Sequence, residues 1–217
     1  MKFSRPAVSA LPLCCTLLMW FGMAAALTAA NAPRLVFTKS FPGSTPPFVE
    51  ITVERNGEAQ YKEDANDENP LKFTLREAEA GAMFTLAEKL RHFSEPLDAG
   101  LKVAFMGKKT FRWEGEGGTH ETSFNYSENL EAKALLDWFE RISETERGLI
   151  DLERAVRFDK LGVNDAILKI EVTRDQKRLV AEEQFLPLLD RVVKNEKYIH
   201  MARSRAAALT ESIRAPK

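Results

Sequence analysis

Between Phe48 and Arg55 the chain alternates strictly, with Val49, Ile51 and Val53 on one side and Glu50, Thr52 and Glu54 on the other. This two-residue period marks a strand with one buried and one wetted face. Asn56-Gly57 comes next and signals a turn. Pairing decides the turn's length. A two-residue loop would set Val53 beside Gln60, apolar against polar. A three-residue loop, Arg55-Asn56-Gly57, with left-handed Gly57 in a G1 bulge, instead pairs Val53 with Ala59 and Ile51 with Tyr61. The second register is expected, although it places Glu54 opposite Glu58 near the turn.

Upstream, Lys2 and Arg5 precede a stretch from Ala10 to Ala30 that carries no charge and ends in small residues. Those features read as a secretory signal with its cut after Ala30, so the protein is expected to be exported, periplasmic or extracellular. The alternative is an uncleaved inner-membrane anchor, since roughly 20 uncharged residues can span a bilayer. Both cysteines, Cys14 and Cys15, fall inside this run. The chain beyond Ala30 therefore contains no disulfide, thiolate nucleophile or cysteine zinc site. Charge is unevenly spread: residues 31–145 hold 14 basic and 20 acidic side chains, residues 146–217 hold 15 and 12. Neither half shows the basic excess with interleaved aromatics of a nucleic-acid binder, and export argues against one as well.

Leu35 to Lys39 reads as a first strand, followed by Phe41-Pro42-Gly43-Ser44-Thr45-Pro46-Pro47, whose prolines and glycine cannot continue a ladder. After an acidic connection from Asp64 to Pro70, Thr74 and Glu77 have capping-box spacing and predict a helix start near Thr74. Its apolar stripe is read as Leu75, Ala78, Ala82, Leu86, Leu90 and Phe93, with Gly81 tolerated where a strand backbone passes close. Leu101, Val103 and Phe105 then alternate with Lys102 and Ala104, Gly107 turns the chain, and Phe111 and Trp113 alternate in turn. This predicts a second hairpin, with a further strand through His120, Thr122, Phe124 and Tyr126. Ser127 is the expected N-cap of a second helix that buries Leu135, Trp138, Phe139 and Ile142.

From Glu146 onward the pattern is helical. Gly162 and Asn164 read as a stop and a new cap, and Pro187 fits the first turns of a later helix. Phe185, Val192, Ile199, Ala206 and Ile213 recur every seven residues, with Leu188, Ala202 and Leu209 between them. Asn195 interrupts this seam, so a tail folded back on its own chain is preferred to an intermolecular coiled coil. The expected fold is α+β. A signal segment covers residues 1–30. Residues 31–145 form an antiparallel sheet of about six strands, in two hairpin units with two packed helices, and residues 146–217 form a helical C-terminal extension.

Pro42-Gly43, Pro46-Pro47-Phe48, Asn56-Gly57 and Tyr61, in an order of strand, Pro-rich turn, strand, helix and second hairpin, resemble an uncharacterised domain family of exported bacterial proteins. The resemblance covers residues 35–145. It implies a fold and no activity, since that family has none assigned.

No catalytic or cofactor motif stands out. Gly107-Lys108-Lys109-Thr110 lacks the earlier glycine of a phosphate loop, Lys102 standing in its place, and reads as a lysine-bearing hairpin tip that keeps an edge soluble. Asp64 to Asn69 alternates oxygen donors, but Asn69 and Leu75 stand where a calcium loop needs glycine and glutamate. Trp113, Trp138, Phe111 and Phe139 are expected in the core, a ligand cavity being the alternative. His200 and Arg203, one helical turn apart, are the candidate binding residues, for an anion or carboxylate.

No metal site and no cofactor is expected. The reading is a non-enzymatic binding or interaction module of the bacterial envelope that contacts a protein or envelope partner. Nucleic acid is excluded, and so is membrane contact beyond the N-terminal segment. The alternatives are an envelope hydrolase or ligand-binding enzyme-like domain using carboxylates and His200, and a protein that self-associates through its C-terminal helices.

Overall fold

The computed structural model describes residue 1, residues 32–115 and residues 117–215, so the expected signal or anchor run lies outside the described residues. Six strands form one antiparallel sheet: β1 Arg34–Ser40, β2 Phe48–Glu54, β3 Glu58–Lys62, β4 Leu71–Thr74, β5 Lys108–Gly115 and β6 Gly118–Phe124. Their order is β4-β3-β2-β1-β5-β6. The β2–β3 register is the one the apolar pattern selects, Ile51 opposite Tyr61 and Val53 opposite Ala59. Gly57 has φ +90°, and a Cβ there would stand 2.5 Å from the Leu75 carbonyl oxygen. Leu75 in turn donates its N–H to the Gly57 carbonyl at 2.9 Å. Glycine is thus demanded twice, by conformation and by close approach.

Two expectations about the elements fail. The helix does not begin at Thr74. Residues Leu71–Thr74 pair with β3 as an edge strand, and α1 runs Glu77–Lys89. The reciprocal cap sits further on, with the Glu79 carboxylate accepting the Arg76 N–H at 3.0 Å and the Arg76 guanidinium at 2.5 Å. The shift rotates the buried stripe to Ala80, Met83, Phe84 and Ala87, leaving Ala78 and Gly81 exposed.

The second failure is Leu101 to Phe105, which forms no strand. Both sides of β5 are already taken, by β1 and β6, so a hairpin partner preceding Gly107 has no edge to join.

Helix α2, Leu130–Phe158, is capped by Asn129, whose side chain accepts from Ala132 N, and not by Ser127. It buries Leu135, Phe139 and Ile142 as expected, while Trp138 is half-buried. Phe139 stacks on Phe37 at 4.7 Å and lies 5.8 Å from Phe111, so Phe111, Phe139 and Trp113 are core while Trp138 packs against its edge. Then come α3 Val163–Asp175, α4 Leu186–Lys194 and α5 His200–Arg214. Gly162 serves as the cap of α3, with Asn164 inside that helix, and Pro187 lies in the first turn of α4. Phe185, Val192, Ala202, Ala206, Leu209 and Ile213 are all buried in a second core formed by α2 to α5. The heptad seam is therefore filled within the chain, apart from exposed Ile199.

Gly81 lies in mid-α1, exposed, and a Cβ added there would meet nothing within 4 Å. Gly81→Ala should therefore stabilise the fold by about 0.5–1 kcal/mol, read as a higher urea midpoint at unchanged slope.

Candidate functional site

The most unusual surface lies at the end of the sheet where β1 runs into β2 and the chain enters β5. There Leu101, Val103, Phe105 and Met106 are 51, 43, 58 and 59% exposed, four large apolar side chains within six residues. Such grouping on a soluble surface marks an interaction site more often than chance. The backbone carrying them is fixed by hydrogen bonds. Asn125, just beyond β6, uses both its peptide and its side-chain amide. Its Oδ1 accepts from Met106 N at 2.8 Å and its Nδ2 donates to Ala104 O at 3.1 Å. Its own N–H goes to Asp98 Oδ2 and its carbonyl receives Lys109 Nζ, both at 2.8 Å.

Asp98 also accepts from Gly100 N at 2.8 Å. These backbone donors, Asn125 first and Gly100 second, hold the Asp98 carboxyl below its usual range. Phe105 meets Phe41 of the β1–β2 turn edge to face at 5.8 Å. Gly107, at φ +94°, presses against the same residue's Cβ, which would stand 2.9 Å from a glycine substituent.

Lys109 does not sit at a soluble tip. It is 5% exposed and points to the core side of β5, in step with Phe111 and Trp113. Besides Asn125 O, its Nζ lies 3.4 Å from the carbonyls of Met106 and Gly107. Burial pushes its pKa down, and the Lys39 charge adds to that. Lys108 is exposed.

A second buried titratable group lies where the two cores meet. Glu146 is fully buried on α2. Its Oε1 accepts from Gln184 Nε2 at 2.8 Å, and its Oε2 has no partner. Burial raises its pKa to about 7. Beside it, buried Thr145 accepts the Val180 N–H at 3.2 Å and donates to Arg141 O at 2.8 Å. The spacing Leu135, Phe139, Ile142, Glu146 continues α2's buried face, a signal that reveals Glu146 in the sequence.

The candidate residues from the sequence do not join either site. His200 is exposed on the first turn of α5, its Nδ1 3.4 Å from Ser204 Oγ. Arg203 is half-buried and its Nε has no partner. The other two histidines come together around one ring: His92 stacks on Trp113 at 4.0 Å, and His120 is Trp113's cross-strand partner. His92 is seated by three successive left-handed residues, Arg91, His92 and Phe93, at φ 48°, 51° and 64°.

A groove of about 700 Å³ between α2 and α3 has Leu168, Ile170, Val172 and Leu179 in its wall. Most of its charges are engaged, Arg178 with Glu144 at 2.6 Å and Asp137 at 2.9 Å, Arg147 with Glu63 at 3.8 Å and Asp151 with Arg154 at 3.6 Å, while Lys169 also lines it. Phe158 and Leu161, also exposed, lie among acids and bases in near balance. Among the described residues no group of three or more His, Cys, Asp or Glu has metal-binding geometry.

Asn125→Ala should leave Met106 N–H and Ala104 C=O without their partners, speeding amide exchange at Met106 about tenfold while costing about 1–2 kcal/mol globally. Native Glu146 keeps its proton to about pH 7, whereas the unfolded chain releases it near the ordinary 4.5. More protons bind the native state in that window, so this group's contribution to stability falls as pH rises through it, by about 3 kcal/mol at most. Glu146→Gln should remove that decline, so that variant minus parent stability in urea titrations grows from pH 5 to pH 7 and is then flat.

Compared with known proteins, the chain matches no family and no curated protein, so its surfaces must be read from their own chemistry.

Proposed function

We propose that the protein is an exported, non-enzymatic binding module of the cell envelope. Its contact surface is the loop from Ala99 to Gly107 together with the β1–β2 turn. One observation carries this reading: four apolar side chains are held out to solvent on a backbone fixed by Asn125, Asp98 and Lys109. A loop with no role in recognition would gain by turning those side chains inward, at roughly 25 cal/mol per Å² of apolar area removed from water. A pre-set loop also loses less conformational entropy on binding, which favours recognition by a rigid apolar contact.

Among the described residues, the acids and bases that the sequence and burial single out do not converge on one another. Glu146 is sealed within the fold, and His200 has a serine beside it without a third group orienting the pair.

A photo-crosslinking residue placed at Phe105 in producing cells should yield a discrete adduct, lost when Leu101 and Met106 are changed to Asp. The same crosslinker at Gln60, exposed on β3, should yield none. Equal yields at Phe105 and Gln60 would remove the loop as the contact surface.

A further inference from the structure

Resting on the loop being the contact surface, we infer that what it contacts is an anionic lipid bilayer, entered by Leu101, Val103, Phe105 and Met106 while lysines meet the headgroups. This departs from the expectation that membrane contact ends with the N-terminal segment.

Charge complementarity selects this occupant. The β1–β2 turn, residues 40–49, contains no charged residue, and its Phe41, Pro42, Pro46, Pro47 and Phe48 are exposed or half-buried. Phe41 and Phe105 are in ring contact, so turn and loop form one apolar end. Around it stand Lys39, Lys102 and Lys108, which form no ion pair among the described residues. Between α1 and β5 the acids are Glu95, which is ion-paired with Arg91, and Asp98, whose oxygens accept from the backbone donors of Gly100 and Asn125. Outside the loop, Glu128 and Glu131 stand at the start of α2, and Glu140 and Glu144, the latter held by Arg178, line the same cavity as Lys39.

An apolar tip rimmed by unpaired lysines has the composition of a surface that sits at the lipid interface. Each cation near an anionic leaflet contributes about 1 kcal/mol of attraction, which converts to about fivefold in affinity. The buried Lys109 clamp suits this role as well, because it holds the carbonyls of Met106 and Asn125 and so keeps the apolar tip projecting. A protein partner would require a matching concave apolar site. A bilayer requires only protrusion and positive charge.

The test reads the tip itself, since the N-terminal apolar run could bind vesicles on its own. An environment-sensitive fluorophore is attached to Met106→Cys in the full chain carrying Cys14→Ser and Cys15→Ser, with Gln60→Cys as the control position. Vesicles of phosphatidylglycerol mixed with phosphatidylcholine should shift the Met106 emission to the blue and leave Gln60 unchanged. Phosphatidylcholine vesicles should give much less response, and soluble glycerol phosphate none. Lys102→Gln with Lys108→Gln should raise the vesicle concentration needed about tenfold or more, and added salt should do the same.

A silent Met106 probe with anionic vesicles overturns the inference, as does an equal response to zwitterionic ones. A blue shift that grows with protein concentration in the absence of lipid, or a Phe105 crosslink to a protein instead of to lipid, would name another occupant. Either result would overturn the lipid assignment and leave the binding-module reading standing. That reading falls separately, if the crosslinker at Phe105 behaves like the one at Gln60.

Discussion

The length of α2 governs the architecture. At 1.5 Å per residue its 29 residues extend about 43 Å, whereas six strands about 4.8 Å apart make a sheet only about 24 Å wide. The helix crosses the strands: Phe139 stacks on β1 at Phe37, and Arg147, eight residues later, reaches Glu63 just beyond β3. Eight residues cover about 12 Å, close to the two strand spacings between those points. One further spacing brings the helix past β4 near Ile150, which still packs against the sheet's core, and Leu152 is the first fully buried residue of the second core. Everything beyond is overhang. An amphipathic helix cannot leave Leu152, Ala155 and Val156 in water, so α3, α4 and α5 cover them. The C-terminal extension is thus a consequence of one long helix on one narrow sheet.

The same crossing explains the polar residues at the seam. Near residues 145 and 146 the helix leaves one core and enters the other, and the chain that returns from α3 must pass there. Thr145 takes the Val180 N–H, which would otherwise be buried without a partner, and Arg178 ties the returning chain to Glu144 and Asp137 on α2. Those hydrogen bonds, Glu144's first, push the Arg178 pKa further up. Tyr61, under the same region, is raised chiefly by burial and then by its hydrogen bond to Glu63. Glu146 is the exception that this packing does not fully satisfy: one oxygen has Gln184 and the other nothing.

Local and periodic signals were the legible part of the sequence. The Ile51–Tyr61 register comes from alternation and one glycine, and the α2 face comes from three- and four-residue spacing. Leu71–Thr74 was hidden because four residues carry little alternation, and Thr74 with Glu77 imitates a cap. Leu101 to Phe105 shows the reverse. Its alternation is genuine, yet strand formation depends on a free edge, and only the sheet order reveals that β5 has none. The loop's clamp was illegible for the same reason, since Asn125 lies 27 residues from Asp98 and 16 from Lys109. Lys109 alone left a trace, because its parity with Phe111 and Trp113 points it inward.

These two features, overhang and loop, share no direct hydrogen bond or ring contact among the described residues. The loop's hydrogen bonds and ring contacts run to Phe41 in the β1–β2 turn, to Lys109 in β5 and to Asn125 and Tyr126 between β6 and α2, and none reaches α3, α4 or α5. The helical extension therefore reaches the exposed apolar tip only indirectly, through α2, whose first half lies on the sheet, and through Val180 and Ala181, which join the sheet's core. Central strands β1 and β5 are hydrogen-bonded on both sides and open last in local unfolding. A loop mounted on them keeps its shape at little further cost, whereas the same apolar side chains on edge strand β4 would expose an open ladder to unwanted strand pairing. Placing the tip where the backbone is already satisfied allows apolar exposure without that liability.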